Sequence, residues 1–307
     1  MPSGKAVPSA VPPRRAAVVV NPIRFDDLGE FKGAVGAVMS EHGWGEPLWL
    51  QTTADSPGEE QARAAVRAGA DLVLASGGDG TITACAAGVA GSGIPLGVLP
   101  AGTGNLLARN LDLPLDLLDA LFVALTGTDR PLDVGLVNGR QFIVMAGIGF
   151  DAKMLDGASE PLKQRLSWAA YCVAALRHLS DRPMRVTLRA DGRPPVRRRA
   201  SAVVIGNVGS LQGGVPLLPD AVPDDGLLDV VALTAQGWAG WLALAWHVLR
   251  RQGSGRLTRM TVRELQVDID RQQRWQLDGE VIGSTRRLTV SVQAGTLLVR
   301  VPTPAAS

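Results

Sequence analysis

Residues 71–89 read DLVLASGGDGTITACAAGV: an aliphatic run, a loop of three glycines around one aspartate, and an apolar stretch of helical length. The loop Gly77-Gly78-Asp79-Gly80-Thr81 therefore stands directly between a strand, DLVLA, and a helix N-terminus. In that context glycines expose backbone N–H groups and let phosphate oxygens approach the chain, while the helix end adds favourable partial charge. Asp79 is what a bare phosphate loop lacks. A carboxylate among phosphates is repulsive by itself, so it points to a Mg2+ shared with a nucleotide. A tight turn with Asp79 or Thr81 capping the helix is the plainer alternative, but it gives the three glycines no purpose.

Outward from this loop, short strands alternate with helices. AAVVV (16–20) precedes a helix over about Asp26–His42, then PLWL (47–50), a helix over Gly58–Ala68, the DLVLA strand, a helix over Thr81–Val89, IPLGVL (94–99) and a helix from Asn105. Strands separated by helices of this length predict βαβ units, hence a parallel sheet with helices on both faces. After Pro131 the pattern changes to strands joined by turn dipeptides: LDVGLV, Asn138-Gly139, QFIVMAG; then MRVTLRA, Asp191-Gly192 and a strand ending SAVVIGN. Asn-Gly and Asp-Gly between alternating strands predict hairpins. The expected fold is an α/β N-terminal domain with a parallel sheet over 16–131, after a disordered tail over 1–15, and a mainly antiparallel β domain over 132–287. The strands LTVSV (288–292) and LLVRV (297–301) fit either domain, and the boundary near 132 reads as a close-packed hinge.

The chain of 307 residues is 46% hydrophobic, enough for packed cores, and its net charge of +2 does not suggest a nucleic-acid partner. Cys85 and Cys172 fall in apolar helical stretches without metal-ligand spacing, which suits a reduced, cytosolic protein. The first fifteen residues lack the apolar core of a secretory signal, and the most apolar helix candidate, GWAGWLALAWHVL, is shorter than the roughly 20 residues that span a bilayer.

A second glycine loop, Pro100-Ala101-Gly102-Thr103-Gly104-Asn105, follows the next strand in the same manner. Loops at the carboxyl ends of adjacent parallel strands line one crevice, so the two together make one nucleotide site. The combination resembles the diacylglycerol kinase catalytic-domain superfamily, in particular bacterial soluble lipid kinases, which include sphingosine-kinase-like enzymes. The resemblance is carried by Val19-Val20-Asn21-Pro22, the GGDGT of 77–81, Pro100 to Asn105 with Leu107-Ala108-Arg109, Pro223-Asp224-Asp225-Gly226-Leu227-Leu228-Asp229-Val230, and Asp278-Gly279-Glu280. These segments are spread in order over almost the whole chain.

The resemblance implies an NAD-kinase-like first domain and ATP and Mg2+ as cofactors. It implies nucleotide contacts from Asn21 and Pro22, from Gly77, Gly78, Asp79, Gly80, Thr81 and Thr83, from Thr103 and Asn105, and from Thr53 or its neighbour Thr52. Where the family carries Ser and Gly after Asn-Pro, this chain has Ile23-Arg24-Phe25, and Arg24 offers charge to a phosphate. The resemblance assigns the general base to Glu280, which would accept the proton of a lipid hydroxyl, most readily that of diacylglycerol. It also implies a structural Mg2+ held by Asp225 and by the carbonyls of Val222 and Leu227, hard oxygen ligands that suit this ion.

A lipid kinase takes its substrate from a bilayer, so peripheral contact with the inner face of the membrane is expected. The stripe Trp238, Trp241, Leu242, Ala245 and Leu249 reads as a core-facing helix or an interfacial anchor, and the helix over Leu162–Leu179 as core or acyl-chain pocket. Arg197-Arg198-Arg199 and Arg286-Arg287 read as a solvated face or part of a basic membrane-facing one. A homodimer stays open. The alternatives in function are an NAD kinase, which shares the GGDGT loop, and a non-catalytic nucleotide-binding module of the same fold.

Overall fold

Five buried residues in succession, Ala16–Val20, form strand β1, and such unbroken apolar runs belong to strands covered on both faces. The structure is a computed structural model that describes residues 14–149, 183–209, 218–234 and 257–303. After β1 come a 3-10 turn (Pro22–Arg24), α1 (Leu28–Glu41), β2 (Leu48–Gln51), α2 (Glu59–Arg67), β3 (Leu72–Gly77), α3 (Asp79–Val89), β4 (Leu96–Pro100), α4 (Leu106–Asn110) and α5 (Leu117–Thr126). β1 pairs in parallel with β2 and β3, and β3 in parallel with β4. The expected α/β half is therefore present.

Its helix α5 is absent from the sequence reading. Asp116 caps it by accepting hydrogen bonds from the N–H groups of Leu118 and Asp119. Asp112, at φ +53°, and Pro114 keep it separate from α4, which has only five residues.

The second half contains β5 (Thr128–Val137), β6 (Arg140–Phe142), β7 (Met145–Ile148), β8 (Met184–Ala190), β9 (Val196–Ala200), β10 (Ala202–Gly206), β11 (Leu228–Leu233), β12 (Leu257–Val262), β13 (Glu264–Leu277) and β14 (Glu280–Val301). Its pairings among themselves are antiparallel. The turn dipeptides behave as expected: Asn138-Gly139, Asp191-Gly192 and Asp278-Gly279 all take positive φ at both positions, the geometry that matches strand twist.

One sheet runs through the molecule in the order β12-β11-β10-β7-β13-β14-β4-β3-β1-β2. The two final strand candidates are one long strand, β14, with a register shift between Gln293 and Leu297. It lies antiparallel to β5 from Val137 back to Thr128 and meets β4 at Val299↔Leu96. Residue 132 thus falls inside a paired strand rather than in a connecting loop. The described residues begin with Arg14, bridged to Trp44, and Arg15, whose N–H is held by Asp71. The remainder of the expected tail, the helix over Leu162–Leu179 and the helix over Trp238–Arg251 lie outside the described residues.

Candidate functional site

The carboxyl ends of β1, β3 and β4 gather the sequence-predicted residues. At β3, Gly77 has no room for a side chain, because a Cβ there would stand 2.7 Å from that of Thr81. At β4, a Cβ on Gly102 would lie 2.7 Å from the Cα of Gly78, so the two glycine loops pack backbone to backbone. The N–H of Ala101 donates to the carbonyl of Gly77 at 2.9 Å.

Asp79 joins the same two loops through its side chain. Oδ2 accepts from the Asn105 N–H at 3.0 Å and Oδ1 from the Leu106 N–H at 2.5 Å. The residue that the sequence places among phosphates therefore also caps the helix of the second loop. Each oxygen keeps a further lone pair, so this donor set still fits a hard cation. Asn105 holds a left-handed backbone (φ +49°), and its amide closes the loop onto both the N–H and the carbonyl of Gly102. Thr103 and Gly80 are exposed beside it.

From β1, Asn21 accepts from the Ile23 N–H and donates to the Thr81 hydroxyl at 3.4 Å. Arg24 comes round beside the first loop: a Cβ on Gly78 would lie 3.5 Å from its Nη2. After β2, Thr52 is buried, whereas Thr53 is exposed with its hydroxyl accepting from the Ser56 N–H.

The second half reaches this cluster through Asp278. Its carboxylate accepts from the N–H groups of Ile143, Val144 and Met145 at 2.8–2.9 Å, and the Thr83 hydroxyl of α3 stands beside it, near enough to favour the ionised form. Burial pushes the Asp278 carboxyl up from its ordinary value, and these four groups pull the other way. Thr83 is four residues after Asp79 on α3, so the two share a helix face. Glu280 stands two residues past Asp278, at the start of β14. Glu280 is exposed, and its side chain makes no hydrogen bond or ion pair with a described residue.

The proposed metal loop is tied down by residues the sequence reading did not single out. Asp133, buried in β5, accepts from the N–H groups of Gly226 and Gly295, and its own N–H donates to the carbonyl of Pro223. Asn207, also buried, donates to the carbonyls of Asp133 and Ile143. A lone Asp in an otherwise apolar strand (LDVGLV) was the available signal. Asp225 accepts from the Leu227 N–H at 2.9 Å, and Val222 is exposed. Burial, then the charges of Asp225 and Asp220, push the nearby Asp229 carboxyl up to about 6, with Arg259 opposing. No group of three acidic, His or Cys side chains in metal-binding arrangement occurs among the described residues.

Comparison with known proteins agrees with this assembly. Residues 15–137 match the diacylglycerol kinase catalytic domain, and residues 143–301 match the YegS C-terminal NAD kinase beta sandwich-like domain. The chain belongs to this family of lipid kinases and is an enzyme of the kinase class. It is 36% identical to the "Probable lipid kinase YegS-like" of Pseudomonas aeruginosa (strain UCBPP-PA14), over 87% of this chain and 88% of that one. It is 30% identical to the "Diacylglycerol kinase" of Bacillus subtilis (strain 168), over 88% and 91% respectively. A crystal structure described as a diacylglycerol kinase from Bacillus anthracis str. Sterne superposes with a TM-score of 0.73 at 20% identity, covering 96% of this chain and 98% of that one. The likeness to NAD kinases is one of fold.

Proposed function

We propose that the protein transfers the γ-phosphoryl group of ATP to the primary hydroxyl of a lipid, with diacylglycerol as acceptor and Glu280 as general base. The observation that carries this reading is the Asp278 anchor. It ties the Glu280 turn to Thr83 of α3, one turn beyond the glycine loop that begins the helix.

The two glycine loops, held together by Asp79, would present backbone N–H groups to the phosphates. Asn21, Pro22 and Thr53 would line the nucleotide at the ends of β1 and β2. Arg24 would meet the phosphate charge. Glu280, exposed and without a partner among the described residues, would accept the acceptor hydroxyl's proton as that oxygen attacks phosphorus in line. Mg2+ would be held by Asp79 at the phosphates and by Asp225 with the Val222 and Leu227 carbonyls in the second loop. At the phosphates it supplies neutralisation of charge. Domains over 16–131 and 132–287 would close on the nucleotide, and the protein would work in the cytoplasm, transiently at the inner face of the membrane. No described helix is long and apolar enough to cross a membrane.

The test is transfer of label from γ-32P-ATP into mixed micelles carrying diacylglycerol, monoacylglycerol, a sphingoid base or phosphatidylglycerol, with NAD as a parallel acceptor. Labelled diacylglycerol that requires Mg2+ is the expected product. Label in NAD alone would overturn the acceptor class, and nucleotide binding without turnover would leave only the non-catalytic reading.

A further inference from the structure

The hairpin β8–β9 carries a charge that the described residues do not neutralise. Between Met184 and Ala200 stand six arginines and one aspartate, a net +5 in a chain whose total is +2. Along β8, Met184, Val186, Leu188 and Ala190 are buried, while Arg185 and Arg189 face outward. Arg199 lies opposite Arg185, and Arg197 lies opposite Thr187. Directly opposed residues project to the same side, so these arginines share the outer face.

Like charges in direct opposition weaken a strand pair. Asp268 enters the same face opposite Thr187 but is already engaged by Arg189 and Arg287. The side chains of Arg185, Arg197 and Arg199 are exposed and make no hydrogen bond or ion pair with a described residue. Among the described residues β9 pairs only with β8, so this row also lies at an edge of the described sheet. Guarding an edge against strand addition takes a charge or two; it does not call for an unneutralised row extending onto β8.

We propose that this outer face of β8 and β9 docks the enzyme on the anionic headgroups of a phospholipid bilayer, through Arg185, Arg197 and Arg199. The proposal rests on the lipid-kinase reading, which obliges the enzyme to visit a membrane surface. A pleated sheet face offers its arginines on a broad front, suited to many headgroups at once. The hairpin contains no aromatic residue on which a nucleic-acid base could stack, and the low total charge argues against a polyanion as general partner.

The experiment is cosedimentation with vesicles of phosphatidylcholine, pure or with one third phosphatidylglycerol, at about 0.1 M salt, where screening still leaves headgroup attraction intact. Each basic residue at an anionic surface strengthens adsorption by about fivefold. The triple variant Arg185→Gln, Arg197→Gln, Arg199→Gln should therefore bind anionic vesicles roughly a hundredfold more weakly. A matched loss of charge elsewhere, Lys32→Gln, Arg63→Gln, Arg67→Gln, should cost far less. In neutral detergent micelles, where docking is not needed, the triple variant should phosphorylate lipid at the wild-type rate and melt at the wild-type temperature.

Equal binding of wild type to neutral vesicles, or undiminished binding by the triple variant, overturns the proposal. Tighter binding of wild type to a folded RNA than to anionic vesicles at the same salt also overturns it, in favour of a nucleic-acid surface. Arginine-dependent vesicle binding by a protein that phosphorylates no lipid would instead sink the lipid-kinase reading and leave the docking face standing.

Discussion

Two Asp-Gly turns of this chain have the same local form and different reach. Asp191-Gly192 has φ values of +47° and +68°, and Asp278-Gly279 has +46° and +93°. At the first, the Asp191 carboxylate accepts from the N–H groups of Arg263 and Glu264 in the neighbouring strand and pairs with Arg193. At the second, the Asp278 carboxylate gathers three N–H groups of β7 and its approach, and a hydroxyl from the other half of the molecule. The dipeptide sets the turn; what the carboxylate can reach decides whether the turn finishes a hairpin or joins two halves around a site.

The largest expected effect breaks the second turn's function without touching its structure. Glu280→Ala should lower the turnover of lipid phosphorylation by roughly 10² to 10⁴, with an unchanged melting temperature because Glu280 is exposed and without a partner among the described residues. A loss below tenfold would remove Glu280 from the role of base.

Next comes the anchor. Asp278→Ala leaves three backbone N–H groups beside Ile143 to Met145 without their acceptor and should cost about 3 kcal/mol of unfolding free energy, read by denaturant titration. Asp191→Ala, at the exposed turn, should cost about 1 kcal/mol. Equal losses at the two turns would contradict the contrast drawn between them.

Thr83→Val removes only the approach of the Thr83 hydroxyl to Asp278, one of several contacts between the halves. It should cost about 1 kcal/mol in stability, while raising the Glu280-dependent barrier enough to lower turnover more than it alters the apparent affinity for ATP.

The smallest effect sharpens the comparison from the sheet's outer face. There, slight burial raises the Asp268 carboxyl, but Gln266, Arg287 and Arg189 outweigh it and hold the group below the ordinary carboxylate range. A depressed folded value contributes stability above the unfolded pKa and loses it as pH falls through the folded one. The melting-temperature gap between wild type and Asp268→Asn should therefore be widest near neutral pH and close in acid. With solvent screening it should amount to no more than about 0.5 kcal/mol and shrink in high salt.

How much of this was legible in the sequence follows from the range of the interactions. The glycine loops, the βαβ order and the Asn-Gly and Asp-Gly hairpins are local, and the residues themselves set them. The continuity of β14 was not legible, because its irregularity at Gln293 to Leu297 looks the same in sequence as a loop between two strands. Ser201 looked like the interior of one strand, yet it divides β9, which pairs with β8, from β10, which pairs with β7 and β11. Asp133 and the approach of Thr83 to Asp278 join residues far apart in the chain, and no spacing rule reports such meetings. Asp79 was legible as a candidate site residue, but its hold on the second loop was not.

The placement of β14 between β13 and β4 has a consequence for synthesis. The partner of Leu96 is Val299, so a ribosome adding 5–20 residues per second delivers it roughly 10–40 s later. For most of that interval the growing chain has its glycine loops but not the strand that borders β4. The nascent protein is thus sticky at one sheet edge until that strand arrives, which makes the strand a seal against aggregation.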